Sequence, residues 1–133
     1  MDSLVQERGG FMEKKYVDGY VLAVPKKSLA AYRKMAQDGA RVWKKYGALE
    51  YIESVGDDLS PKWAGIKFPR TVRAKPGETV VFSFIVFKSK AHRDSVNAKV
   101  MKDLMNDPAA KNKQMPFDEK RMAYGGFRVM VGA

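Results

Sequence analysis

The chain has 133 residues and a formal charge of +10, from 25 Lys and Arg against 15 Asp and Glu, and it contains no cysteine. That length suits one domain with a core of its own, and the missing thiols exclude disulfides, thiolate nucleophiles and cysteine-based zinc sites. No apolar run approaches the roughly 20 residues of a membrane span, and the first residues hold no signal-peptide core. The expectation is therefore a cytoplasmic protein that does not engage a membrane.

Residues 1–13 read as a disordered leader, with Gly9-Gly10 breaking any periodicity, and residues 14–133 as a single α+β domain. Tyr16 to Val24 is rich in β-branched and aromatic residues and is stopped by Pro25, which predicts a first strand. From about Lys26 to Tyr46 the period changes: Leu29, Tyr32, Ala36, Trp43 and Tyr46 recur at helical spacing, with Arg33, Lys34, Arg41, Lys44 and Lys45 mostly on the other side. Gly47 is placed to end that helix in the left-handed conformation. Ala48 to Val55 predicts a second strand. Ser60 to Gly77, with Pro61, Pro69, Pro76 and Gly65, predicts a long loop carrying Lys62, Lys67, Arg70, Arg73 and Lys75 without an acid between them. Glu78 to Phe87 is the strongest strand signal. Ser89 is placed to cap a second helix running to about Asn106, with Val96, Val100, Met101, Leu104 and Met105 facing inward, and a last strand runs from Arg121 to Val131. Gly125-Gly126 inside it suggests a bulge.

The order β-α-β-β-α-β predicts a ferredoxin-like fold, a four-stranded antiparallel sheet with two helices on one face. Two helices cover one face only, so a sheet meeting water on the other should alternate apolar and polar residues. The third strand does not: Val80, Phe82, Phe84 and Val86 occupy one face, and Val81, Ile85 and Phe87 the other. Leaving such side chains wet forgoes on the order of 1.5–3 kcal/mol each. A second copy of the sheet is the favoured cover, giving a homodimeric α/β barrel. The alternative cover is the loop from Ser60 to Gly77.

Met115-Pro116-Phe117-Asp118, Lys120-Arg121-Met122 and Tyr124-Gly125-Gly126-Phe127, supported by Tyr16-Val17-Asp18-Gly19, Val24-Pro25 and Gly47-Ala48-Leu49, resemble the YbaA-like family of uncharacterised small bacterial proteins. The resemblance runs from Tyr16 to Val131. It departs at Glu119, where a glycine is expected, and at Ala109-Ala110, where an arginine tends to follow Asp-Pro. It implies membership of the dimeric α/β barrel superfamily, which includes cofactor-free monooxygenases, haem-degrading enzymes and ligand binders. It implies no established activity.

Asp18 is a carboxylate within an apolar strand, so it needs a partner or a raised pKa and is a candidate site residue; the competing reading is an ion pair with Arg121 or Lys120. Asp118, Lys120, Arg121 and Tyr124 form a polar set at the mouth of the last strand, in which Arg121 and Lys120 are able to hold a small anion and Tyr124 to donate from its phenol; the alternative is that Asp118 closes the turn after Pro116 with the cations on the surface. Tyr20 is the aromatic candidate beside Asp18. His92 is the single histidine and reads as a surface imidazole. Glu50, Glu53 and Asp57 have no His or Cys at ligand spacing, so no metal site and no cofactor are expected. The function expected is binding or conversion of a small organic molecule by a homodimer, near Asp18, Tyr20, Asp118, Arg121 and Tyr124. The alternative is a non-catalytic nucleic-acid binder using the basic surface.

Overall fold

The computed structural model describes residues 14–111 and 114–133. The expected leader, residues 1–13, lies outside the described residues. The elements are β1 (Tyr16–Pro25), α1 (Leu29–Lys45), β2 (Glu50–Val55), the short α2 (Phe68–Thr71), β3 (Glu78–Phe87), α3 (Lys90–Met105), the short α4 (Pro108–Lys111) and β4 (Ala123–Arg128). The strands form one sheet in the order β2-β3-β1-β4, every neighbouring pair antiparallel.

Local chemistry sets the helix ends where the sequence places them. At α1 the Ala48 N–H reaches the Trp43 carbonyl at 3.0 Å and the Gly47 N–H reaches Lys44 at 3.1 Å. These are the two bonds of a Schellman motif, and Gly47 takes the left-handed φ of 111° that it requires. At α3 the Ser89 hydroxyl accepts from the His92 N–H at 3.1 Å, while His92 Nδ1 accepts from the Lys88 N–H at 3.0 Å. His92 thus reaches back past the cap to the residue before it, a variant of the capping box in which the Lys88 N–H stands in for that of Ser89. Burial, then Lys88 and Lys99, lowers the pKa of its imidazole and favours this neutral, accepting form.

Even-numbered β1 residues and odd-numbered β3 residues face the helices. Leu22, Val24 and Val81 pack with Tyr32 and Ala36 of α1, and Ile85 and Phe87 pack with Val96 and Val100 of α3. Met101 and Met105, expected inside, are exposed; the buried stripe of α3 passes through Val96 and Val100 and leaves both methionines on the outer side.

The opposite face is covered at one end only. Val72 and Ala74 of the long loop, with Leu59 just before it, close over Ala23 and Val80. Beyond them Ile52, Phe82 and Phe127 stay 41%, 44% and 61% exposed, and Trp63 and Ile66 of the same loop also face solvent.

Two strand expectations are corrected. β4 begins at Ala123, because Glu119–Arg121 form a 3-10 turn held by Asp118, whose Oδ1 accepts from the Lys120 N–H at 3.0 Å. No bulge occurs at the paired glycines: Asp18 faces Gly126 and Gly19 faces Gly125 in an unbroken ladder. Their missing side chains serve close packing. The Phe127 ring lies where a side chain on Gly19 or Gly125 would begin, 3.3–3.4 Å from the Cβ position of either.

Candidate functional site

Asp18 falls on the helix-facing side of β1, opposite Ile85 of β3 and Gly126 of β4, and is fully excluded from solvent. Its carboxylate is satisfied by three side chains. Arg93 Nη1 donates to Oδ1 at 2.7 Å, the Tyr124 hydroxyl donates to Oδ1 at 3.1 Å, and Asn97 Nδ2 donates to Oδ2 at 3.1 Å. Arg93 and Asn97 stand one turn apart on α3, so both point at the same strand. The chain of bonds continues inward, with the Trp43 indole donating to Asn97 Oδ1 at 3.0 Å. Outward, Arg93 Nη1 also donates to Tyr124 Oη at 2.9 Å and Nε to Asp94 at 2.7 Å.

The partner expected for Asp18 was Arg121 or Lys120; it is Arg93. The reason is register. Arg121 binds Glu78, which faces Pro25, seven residues along β1 from Asp18 and so about 23 Å away at 3.3 Å per residue. The helix α3 instead lies directly over Asp18.

Aromatic rings wall this group. The Arg93 guanidinium lies 4.8 Å from the Tyr16 ring centroid, and the Tyr20 and Tyr124 rings meet at 4.9 Å. Gly126 is what lets Tyr16 and Arg93 approach β4: a Cβ there would sit 2.6 Å from Tyr16 Oη and 3.0 Å from Arg93 Nη1. Burial first, and then the Asp18 charge, raises the pKa of both Tyr20 and Tyr124. Tyr124, half-exposed, is therefore a proton-bearing phenol at neutral pH and not a base. Burial opposes the charge on Arg93, but hydrogen bonds to Asp94 and Asp18 outweigh it and hold the guanidinium protonated.

Of the sequence candidates, Asp18, Tyr20 and Tyr124 come together. Asp118 and Arg121 do not join them. Arg121 makes a two-pronged pair with Glu78, Nη1 to Oε1 at 2.7 Å and Nη2 to Oε2 at 2.8 Å. It also donates to Asp118 at 3.2 Å and to the Arg73 carbonyl at 3.0 Å. Four of its five N–H groups are committed to the protein. The Arg121 fork lowers the pKa of Glu78 to about 2, and the Lys120 N–H, then Arg121, lowers that of Asp118. An open cleft of about 460 Å³ beside them is lined by Pro25, Ser28, Glu78, Phe117, Asp118 and Arg121. These ion pairs are closed among themselves and tie the end of the long loop to the chain before β4.

Sequence reasoning missed Arg93 and Asn97. The signal was there: with Val96 and Val100 they form an i, i+3, i+4, i+7 stripe, so two polar side chains stand at core-facing positions. It also missed the use made of Glu53, which accepts from Tyr32 at 2.9 Å and Tyr51 at 3.2 Å and whose pKa burial raises. Among the described residues no group of three His, Cys, Asp or Glu is placed to hold a metal ion, and no helix is long and apolar enough to cross a membrane.

Residues 15–119 match the family model described as "Protein of unknown function (DUF1428)". The chain belongs to this family. It is 44% identical over 119 residues to the uncharacterized protein YbaA of Escherichia coli strain K12, spanning 88% of this chain and 97% of that one. YbaA of Shigella flexneri matches to the same extent. The family match takes in Asp18, Tyr20, Arg93, Asn97 and Asp118, and stops before Arg121 and Tyr124. Among solved structures the chain is similar to the de novo designed protein Foldit4, with a TM-score of 0.39 at 10% identity over 85% of this chain and 94% of that one. That likeness is too slight to carry an argument.

Proposed function

We propose that this chain is a ferredoxin-like β-α-β-β-α-β protein of the cytoplasm that pairs through its open sheet face into a homodimeric α/β barrel. Each copy binds or converts a small organic molecule beside Asp18, Arg93 and Tyr124. The observation that carries the site is the full burial of Asp18 inside a polar network whose outer member, Tyr124, is half-exposed. A buried ion pair is weak support for stability, since well-packed apolar residues of the same volume often do as well. A network that also reaches the surface gives a ligand something to meet.

The groups of the site divide the work. Asp18, held by three partners, orients Arg93 and Tyr124. Tyr124 presents a phenol that keeps its proton, and Tyr20 contributes an aromatic wall. Asp118 and Arg121 belong to a separate latch, and their cleft offers a ligand little uncommitted charge.

The dimer rests on the exposed row Ile52, Phe82 and Phe127. Apart from Glu50 and Glu78, the latter paired with Arg121, the strand residues on that face are uncharged, although the chain carries +10 overall. A largely apolar face whose strands carry no Lys or Arg suits a second copy of itself and not a polyanion, which leaves the nucleic-acid reading in second place. Native mass spectrometry on untagged protein tests both parts: the expectation is twice the chain mass with a retained small molecule. A bare monomer at micromolar concentration overturns the barrel.

A further inference from the structure

Resting on the dimer reading above, we infer that the loop from Ser60 to Gly77 crosses between the two copies. Trp63 and Ile66 of each copy seat on the bare end of the partner's sheet face. Area decides this. A standard interface takes roughly 800 Å² from each partner. On the strands the open rings are Phe82 and Phe127, 44% and 61% exposed; at roughly 150–250 Å² for an aromatic side chain they offer only about 200 Å². Trp63 at 87% and Phe68 at 49% bring the rings to about 500 Å², and Ile52 and Ile66 add to that. The loop therefore holds the larger share of the open aromatic surface. The Phe68 ring lies 6.4 Å from that of Phe82, so loop and strands present one continuous patch. A second copy that met the strands alone would leave most of it wet.

Shape selects one overlay of the two faces. Val72 and Ala74 of the loop raise one end of the face by closing over Ala23 and Val80. At the other end, beyond that cover, the row Glu50, Val86, Val17 and Phe127 crosses all four strands. A face raised at one end and bare at the other fits its own copy when a two-fold axis runs across the strands. Each loop then lies on the partner's bare row, and the contact is the same in both directions. Charge selects the same overlay. The loop carries Lys62, Lys67, Arg70, Arg73 and Lys75 with no acid between them, so loop laid on loop would bring like charges together. With the loops at opposite ends they stand about 20 Å apart, the span from Ala23 to Val17 at 3.3 Å per residue. That is about twice the Debye length at 0.1 M salt. The strands of the receiving face carry no Lys or Arg to repel the loop.

The test uses the missing cysteine. Because the chain has none, Gly65→Cys supplies a single thiol on the loop, at a position where a Cβ meets nothing within 4 Å. This variant, carrying a nitroxide, is mixed in equal amounts with isotope-labelled wild type, so that any relaxation seen by NMR comes from the partner. The Val17, Val86 and Phe127 amides are expected to lose the share of intensity that belongs to mixed pairs, and the amides of α1 to keep theirs. Sedimentation velocity over a concentration series supplies the second measurement. Trp63→Ser is expected to raise the dimer Kd at least tenfold with an unchanged circular dichroism spectrum, since that side chain is open in the single chain. A wild-type dimer whose bare-row amides stay sharp, or whose Kd Trp63→Ser leaves within twofold, overturns the place given to the loop and leaves the dimer standing. Wild type that sediments as a monomer at micromolar concentration removes both.

Discussion

Asp18 and Arg93 meet at 2.7 Å with unequal access to water: the Asp18 side chain has none, whereas Arg93 keeps 14% of its side chain exposed. Removing one partner therefore costs different amounts in the two directions. Arg93→Met strands a buried carboxylate that cannot resolvate, and breaking a buried pair this way costs about 3–5 kcal/mol. Asp18→Asn leaves a guanidinium that still reaches Asp94 and water, and keeps an acceptor for Asn97, so about 1–2 kcal/mol is expected. Urea unfolding of both variants checks the order. Equal losses, or a larger loss for Asp18→Asn, would show that the carboxylate is not stranded.

Gly126→Ala places a methyl 2.6–2.7 Å from the Oη and Cε2 of Tyr16 and 3.0 Å from Arg93 Nη1. The ring and guanidinium must shift, and overpacking of this kind costs about 1–3 kcal/mol. Because the clash is with the Tyr16 ring, adding Tyr16→Leu should recover part of the loss. The double mutant is then more stable than the sum of the single changes predicts. Strict additivity in thermal melts would mean that the glycine serves something other than this approach.

The helices and strands were legible because their signals are local. Period, a capping serine at Ser89 and a terminating glycine at Gly47 each act within a few residues. The site was legible only in part. Asp18 stands out as a carboxylate in an apolar strand, but naming its partner requires knowing that α3 crosses β1 at Arg93 and Asn97, a relation separated by 75 residues or more. Arg121 was misplaced for the same reason: its nearness to Tyr124 in sequence hides a 3-10 turn that sends it to Glu78. The paired glycines suggested a bulge because a sequence shows flexibility at such positions and not the rings packed against them.

The Glu78–Arg121 fork makes stability depend on acid. The folded pKa of Glu78, about 2, lies below its ordinary value near 4.5. The unfolded chain therefore binds the proton more readily between those values, and stability falls as pH drops through that window. The contribution is whole above about pH 4.5 and gone below about pH 2. Glu78→Gln is expected to lower stability at pH 7 and to flatten this part of the acid profile, and Arg121→Lys, which loses the two-pronged geometry, to weaken it. An acid profile unchanged by Glu78→Gln, measured by denaturant unfolding from pH 7 to pH 2.5, would remove the latch from the account.

Phe82 separates a wet sheet face from a buried one. In a single chain it is 44% exposed and touches Phe68 and Phe84, with ring centroids at 6.4 and 6.1 Å. Phe82→Glu in a monomer loses those contacts, on the order of 1 kcal/mol, and the new carboxylate stays hydrated. In the proposed dimer the same substitution buries a charge on each facing sheet without a partner, at several kcal/mol apiece. Sedimentation velocity is expected to show wild type as a dimer at micromolar concentration and Phe82→Glu as a folded monomer with a near-native circular dichroism spectrum. If wild type and variant both sediment as monomers, the loop that covers Ala23 and Val80 is all the cover this face has.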